Sequence, residues 1–366
     1  MTTPPPVPLD PLYALDDAIL EQRIQVAKAQ LGESCVILGH HYQREEVYRF
    51  ADLTGDSLKL ARLASQRPQA RYIVFCGVHF MAEVADILSG PDQIAILPDL
   101  AAGCSMADMA DLPGVSAAWR DLGRILDMER TVTPITYVNS TADLKAFCGD
   151  HGGTVCTSSN AVRILQWAFE QREKVLFFPD QHLGRNSAVG LGIPLERIVV
   201  YHPDAGPLGG LSADQVRNAR VILWEGFCSV HQMFQPAHVD LFRQRVPGVR
   251  IVVHPECSLE VCQKADVLGS TEQIQAAVRA APPGSRFAIG TELNLVNRLQ
   301  KEQPDKEIHF LCPTICMCST MFRIDLQHLC WTLENLVAGH VVNPIQVPAR
   351  EAASARVALE RMLAVV

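Results

Sequence analysis

The sequence predicts an α/β protein of three similar units, each with a parallel sheet, whose functional groups share one central cavity. Three observations carry this expectation. Short runs rich in Val and Ile end in Gly, Pro, Asn or His, and Ala/Leu stretches with helical spacing follow them. That alternation is the mark of βαβ units, in which helices cover both faces of a parallel sheet. The same order of runs occurs three times, and a cysteine closes each set.

The first set holds CVILGHHYQ at 35–43, YIVFCGVHFMAEVADIL at 72–88, QIAILPDL at 93–100 and GCS at 103–105. The second holds TPITYVNSTADLK at 133–145, GTVCTSSNAVRIL at 153–165, KVLFFPDQHLG at 174–184 and RVILWEGFCSVH at 220–231. The third holds VRIVVHPECSLEV at 249–261, ADVLGSTEQIQAAV at 265–278, RFAIGTELNLV at 286–296 and IHFLCPTICMCST at 308–320. In each, a strand ends in a polar cluster, a second strand ends in small residues before a helix, and a third strand follows. One unit of roughly 90–120 residues, the size of a small domain, is thus used three times. The expected divisions are a proline-rich tail and the start of the first helix at 1–23, units at 24–120, 121–235 and 236–348, and a C-terminal helix at 349–366. A single doubly wound sheet with added helices is the alternative. Ligands collect beyond the carboxyl ends of parallel strands, where these polar clusters lie.

Bulk properties narrow the function. A chain of 366 residues with 48% hydrophobic content has ample material for a core. The 32 basic residues against 40 acidic ones leave a net charge of −8, with Lys and Arg nowhere gathered into a stripe. Nucleic acid is therefore not an expected partner. No apolar run approaches the length of a membrane helix, so no membrane role is expected. The start, MTTPPPVPLDPLY, lacks the basic and apolar regions of a secretory signal. Twelve cysteines without such a signal point to a reducing, cytoplasmic setting, where thiols serve as buried hydrophobes or as metal ligands.

Several groups can carry chemistry. Cys104, Cys228 and one of Cys312, Cys316 and Cys318 end the three sets. Thiolates brought together from three units hold an iron–sulfur cluster with one iron open to substrate; three buried structural cysteines are the alternative. The C-x-C at Cys316 and Cys318 also suits a zinc or redox pair. GHHYQ places His40 and Tyr42 on one face of a strand end, and HPE does the same for His254 and Glu256, so that Glu256 can orient or charge His254. Structural histidines are the alternative. TSSN at 157–160, GSTE at 269–272 and GDSLKL at 55–60 put hydroxyls at helix starts, where they bind anions or act as N-caps. Neither a phosphate-binding P-loop nor a strand-linked dinucleotide fingerprint is present.

In order, GHHYQ, GDSL, FCGVHFMAE, AGCSMAD, YVNST, CTSSNA, WEGFCSVH, HPEC, GSTE, GTE and CMCSTM resemble the quinolinate synthase (quinolinate synthetase A) family, iron–sulfur enzymes of de novo NAD biosynthesis. The resemblance runs from about Ile24 to about Pro348. It implies three α/β/α units around a pseudo-threefold axis with the active site at the centre. It also implies one [4Fe–4S] cluster per chain on Cys104, Cys228 and Cys318, with Cys316 or Cys312 as fallback for the third ligand. The implied reaction condenses iminoaspartate with dihydroxyacetone phosphate to quinolinate, with an L-aspartate oxidase as the source of iminoaspartate. By the family pattern, Tyr42, His254 and Glu256 serve proton transfer. His40, Tyr137, Asn139 and His231 face substrate, and Ser57, Ser158, Ser270 and Thr271 bind its anionic oxygens. The stretch FCGDHGGTV is longer than usual for the family; it reads as a lengthened surface loop and leaves Ser158 and Ser159 as alternatives. A zinc- or thiol-dependent hydrolase on a similar frame is the rival reading.

Overall fold

The computed structural model describes residues 5–314 and 317–365. Its strands form three sheets. The first contains β1 (Cys35–His40), β2 (Leu53–Gly55), β3 (Tyr72–Cys76) and β4 (Ile94–Ile96). The second contains β5 (Val132–Tyr137), β6 (Thr154–Cys156), β7 (Lys174–Phe178), β8 (Ile198–Tyr201) and β9 (Val221–Trp224). The third contains β10 (Arg250–Val253), β11 (Val267–Leu268), β12 (Arg286–Gly290) and β13 (Glu307–Phe310). A last strand, β14 (Pro344–Ile345), returns antiparallel to β4.

The three sheets share one strand order. In each, the first strand lies between the second and the third, and the fourth lies outside the third: β2-β1-β3-β4, β6-β5-β7-β9 and β11-β10-β12-β13. All of these pairings are parallel, and β8 extends the second sheet beyond β9. Parallel strands are covered on both faces, which is why their sequences read as continuous apolar runs. Accordingly, every residue of β5, β7 and β9 is buried.

The first set is assigned differently from the sequence reading. Its second strand is not the run at 72–76, which is the third, but the three-residue LTG of β2. So short a strand shows neither alternation nor an apolar run. With it in place, GDSL, TSSN and GSTE all follow the second strand of their sheets.

The chain clusters into two compact units. One comprises residues 1–104 and 317–347 and holds the first sheet. In it, helix Asp17–Leu31 packs on helix Leu326–Val337, and Arg23 grips Glu334 through Nε and Nη2 at 2.7 and 2.5 Å. The proline-rich start is tied down: Trp331 Nε1 and Asn335 Nδ2 donate to the Val7 carbonyl at 2.8 and 3.1 Å.

The other unit comprises residues 105–316 and 348–366 and holds the second and third sheets. Helix Ala349–Ala364 lies along helix Ala142–Asp150. Thr154 Oγ1 donates to Ala358 O at 2.9 Å, and Arg361 Nη1 donates to Gly153 O at 2.8 Å. The FCGD residues, expected in a surface loop, are the last turn of helix Ala142–Asp150, with Phe147 and Cys148 buried. A Cβ on Gly149 would collide with the Ser354 carbonyl, so only glycine permits this approach. Gly149→Ala is expected to destabilise the fold by about 1–3 kcal/mol through overpacking. Urea unfolding of the purified variant measures it, and a midpoint equal to the parent's would refute the close approach.

Candidate active site

The carboxyl ends of four strands of the second unit deliver the groups of one buried cluster. Tyr137 is the last residue of β5, and the Ser140 hydroxyl donates to its carbonyl at 2.8 Å. Beyond β9, Cys228 is the N-cap residue of the single turn Ser229–Gln232, which carries His231. Beyond β10 come His254, Pro255 and Glu256, and beyond β12 comes Thr291. His231, His254, Glu256 and Thr291 are all buried.

Glu256 is the hub. Its Oε2 lies 2.6 Å from His231 Nδ1 and 3.8 Å from His254 Nδ1, and the Tyr137 hydroxyl also bonds to its carboxylate. Its closer imidazole is therefore His231 and not His254, its neighbour in sequence. The two imidazoles stack with centroids 4.6 Å apart, and His231 Nε2 reaches Thr291 Oγ1 at 3.3 Å. Burial alone would raise the carboxyl pKa. The two imidazoles and the hydrogen bonds from His231 and Tyr137 outweigh it and hold Glu256 at about 2. Burial lowers His254 to about 3, with Glu256 opposing and His231 assisting. Its Nδ1 accepts from the Glu256 backbone N–H at 3.4 Å, which leaves the proton of the neutral ring on Nε2.

Two buried residues that the motifs did not mark support this cluster. Asn186, on helix Gln181–Gly190, donates through Nδ2 to Pro255 O and Cys257 O, both at 2.8 Å. It thereby binds the carbonyls of the two residues on either side of Glu256. Asp180 caps the same helix by accepting from the backbone of His182 and Leu183. Burial and the Glu256 charge raise its carboxyl well above the usual range. An Asp before a helix is a visible cap signal; an Asn in mid-helix gives no signal at all.

The hydroxyl motifs separate into caps and open groups. Ser270 is engaged in a capping box with Gln273, accepting from its backbone at 3.4 Å and donating its own N–H to Oε1 at 2.8 Å. The Thr271 hydroxyl is buried without a hydrogen-bond partner among the described residues. Ser158 and Asn139 are half-buried. Asn160 binds the Thr157 N–H at 2.7 Å and gives helix Ala161–Gln171 no side-chain cap.

In the first unit, His40 ends β1 and accepts the Tyr42 N–H through Nδ1 at 3.2 Å, the two rings meeting edge to face at 5.0 Å. His41 turns to the Tyr48 hydroxyl at 3.1 Å. Ser57 opens helix Ser57–Ser65, whose first turn is held by Asp56 Oδ1 accepting from Lys59 N.

None of the eleven described cysteines forms a disulfide. Burial pushes Cys35, Cys262 and Cys330 up to about 12, and Cys76, Cys148, Cys156 and Cys257 also rise. Thiols so disfavoured as thiolates make poor metal ligands. Cys312 is packed in the apolar core of the third sheet, and Cys316 lies outside the described residues. Cys104, Cys228 and Cys318 remain, each half-buried and each in a loop or at a cap. Cys228 Sγ, a His231 ring nitrogen and a Glu256 oxygen lie within 4.8 Å of one another. Because His231 and Glu256 are engaged with each other at 2.6 Å, the thiol is the ligand this trio offers most readily. The donor set thus fits a cluster held by thiolates.

The family described as Quinolinate synthetase A protein matches residues 22–364. Among curated relatives, one from Rhodopirellula baltica is 54% identical over 98% of this chain and 94% of its own length. One from Acidobacterium capsulatum is 57% identical over 97% and 95%, and one from Nocardioides sp. is 59% identical over 95% and 90%. All three bear the name quinolinate synthase.

Because His254 takes up its proton less readily when folded, the stability it contributes is full above its unfolded pKa of 6.5 and falls as pH drops towards about 3. Between pH 7 and pH 5 this loss is about 2 kcal/mol. His254→Gln is expected to lose about that much less over the same interval. Urea titrations of both proteins at the two pH values decide it, and parallel losses would count against a neutral buried His254.

Proposed function

The chain belongs to the quinolinate synthetase A family, and from that premise we propose that it condenses iminoaspartate with dihydroxyacetone phosphate into quinolinate, phosphate and two waters. The observation that carries the proposal is 54–59% identity, over nearly the full chain, to relatives named quinolinate synthase. The hydrolase alternative has no support in these comparisons. The resident group in this proposal is one [4Fe–4S] cluster per chain, held by Cys104, Cys228 and Cys318. It would supply a Lewis-acidic iron open to substrate oxygen or nitrogen. Cysteines without disulfides among the described residues also fit a cytoplasmic enzyme, and an L-aspartate oxidase is the proposed source of iminoaspartate.

Closing a pyridine ring with loss of phosphate and water needs several proton transfers and anchors for two carboxylates and a phosphate. Tyr42, His254 and Glu256 serve the transfers. The neutral His254 ring keeps a proton on Nε2, while Glu256 stays ionised and orients His231 and Tyr137 by accepting from both. His231, Tyr137, Asn139 and His40 position substrate at the strand ends. For the anions, the buried Thr271 hydroxyl has capacity to spare, whereas Ser270 offers mainly the helix start that it caps. Ser57 and Ser158 occupy the corresponding places after β2 and β6.

Protein purified without oxygen is expected to be brown, with about four irons and four sulfides per chain, and to form quinolinate from the two substrates. Serine at Cys104, Cys228 or Cys318 should abolish the cluster; serine at Cys35, Cys148 or Cys330 should retain it. Stoichiometric zinc without sulfide would end the proposal. Replacing Glu256 by Gln removes the charge that holds His231 and Tyr137. Quinolinate formation should fall by about 10²–10⁴-fold, the usual worth of acid–base groups, with the iron content unchanged.

A further inference from the structure

Within the first unit, the loop before Cys104 and the loop after Cys318 are joined by one carboxylate. Asp99 is buried. Its Oδ1 accepts the Ala101 N–H at 2.9 Å, and its carbonyl accepts the Ala102 N–H at 3.0 Å, which shapes the turn that leads into Cys104. Its Oδ2 accepts from Arg323 Nε at 2.7 Å. Arg323 belongs to the turn that begins at Cys318: the Cys318 carbonyl accepts the Phe322 N–H at 3.0 Å, and the Thr320 carbonyl accepts the Arg323 N–H at 3.2 Å. The same turn is held from β1's end by Arg44, whose guanidinium lies 3.9 Å from the centre of the Phe322 ring and donates to the Phe322 carbonyl at 3.2 Å.

Loops carrying metal ligands pay an entropic cost to present them, and groups that orient the ligands reduce it. We propose that the Asp99–Arg323 pair is a positioning device for the cluster, setting the Cys104 and Cys318 loops in register before iron arrives. Its reach is disproportionate to its exposure. The carboxylate is buried and shared among the backbone, the Arg323 guanidinium and, at 3.8 Å, His328 Nε2, so its end of the pair is not solvated as in an ordinary surface bridge. The inference rests on the cysteine ligand set proposed above.

The test measures the rate at which anaerobic holoenzyme releases iron to a chelator, followed by the cluster's visible absorbance, beside the melting temperature of the apoprotein. Asp99→Asn keeps the acceptor for Ala101 and removes the charge. Arg323→Met removes the cation from a side chain 48% exposed and leaves the core intact. Both variants should release iron about 10–100-fold faster, the usual cost of losing a group that orients a ligand, with the apoprotein melting as the parent does. Lys264→Met, which breaks a surface pair with Asp240, should release iron at the parent's rate. Parental release from both Asp99→Asn and Arg323→Met would overturn the inference. So would faster release matched by a lower melting temperature of the apoprotein, since the pair would then be holding the fold and not the site. If the parent chain carries no cluster, the ligand proposal itself fails, and that result is distinct from either.

Discussion

A carboxylate buried to within 3% of full exclusion, at Glu256, is the constraint on which the second unit's site depends. An ionised group taken so far from water costs several kcal/mol unless its charge and its lone pairs are met. Here they are met from three separate strand ends: His231 after β9, His254 after β10 and Tyr137 at the end of β5. The carboxylate therefore couples the second and third sheets. Its backbone is fixed in turn by Asn186, which binds the carbonyls on both sides of it. Removing any member leaves the others with buried polarity to satisfy, so the cluster has one arrangement and little freedom to relax.

The same environment sorts the cysteines. Burial is hostile to a thiolate, and it pushes the pKa of seven of the eleven described cysteines upward. Cys104, Cys228 and Cys318 stand instead in half-buried loops and caps, as ligands must if iron is to reach them. The cluster proposal rests on the motif resemblance and on these three positions. The Asp99–Arg323 pair shows how two such loops are prepared within one unit.

Much of the frame was legible because parallel strands buried on both faces write unbroken apolar runs. CVILGH, KVLFF and VILW announce themselves in this way, and the polar residues beyond them mark the carboxyl ends. The three-residue β2 was not legible, since LTG carries no period. Nor was the fate of FCGD, whose glycine looks like a loop signal but permits two helices to touch. The candidate site was legible wherever a residue lay in a strand-end motif, as His254 and Glu256 do. It was silent for Asn186 and Asp99, whose importance lies in contacts made far away in the chain.

By itself, the sequence determined the repeated parallel sheets, the family and the set of chemical groups at the strand ends, because each depends on local pattern and residue type. Only the tertiary structure decided which groups pair. Glu256 turns to His231 at 2.6 Å, although His254 is its neighbour in sequence, and Ser270 spends its hydroxyl on Gln273 while Thr271 keeps its own unspent. The reason is that hydrogen bonding and desolvation act through space, over distances of a few ångströms, between residues the chain holds dozens of positions apart.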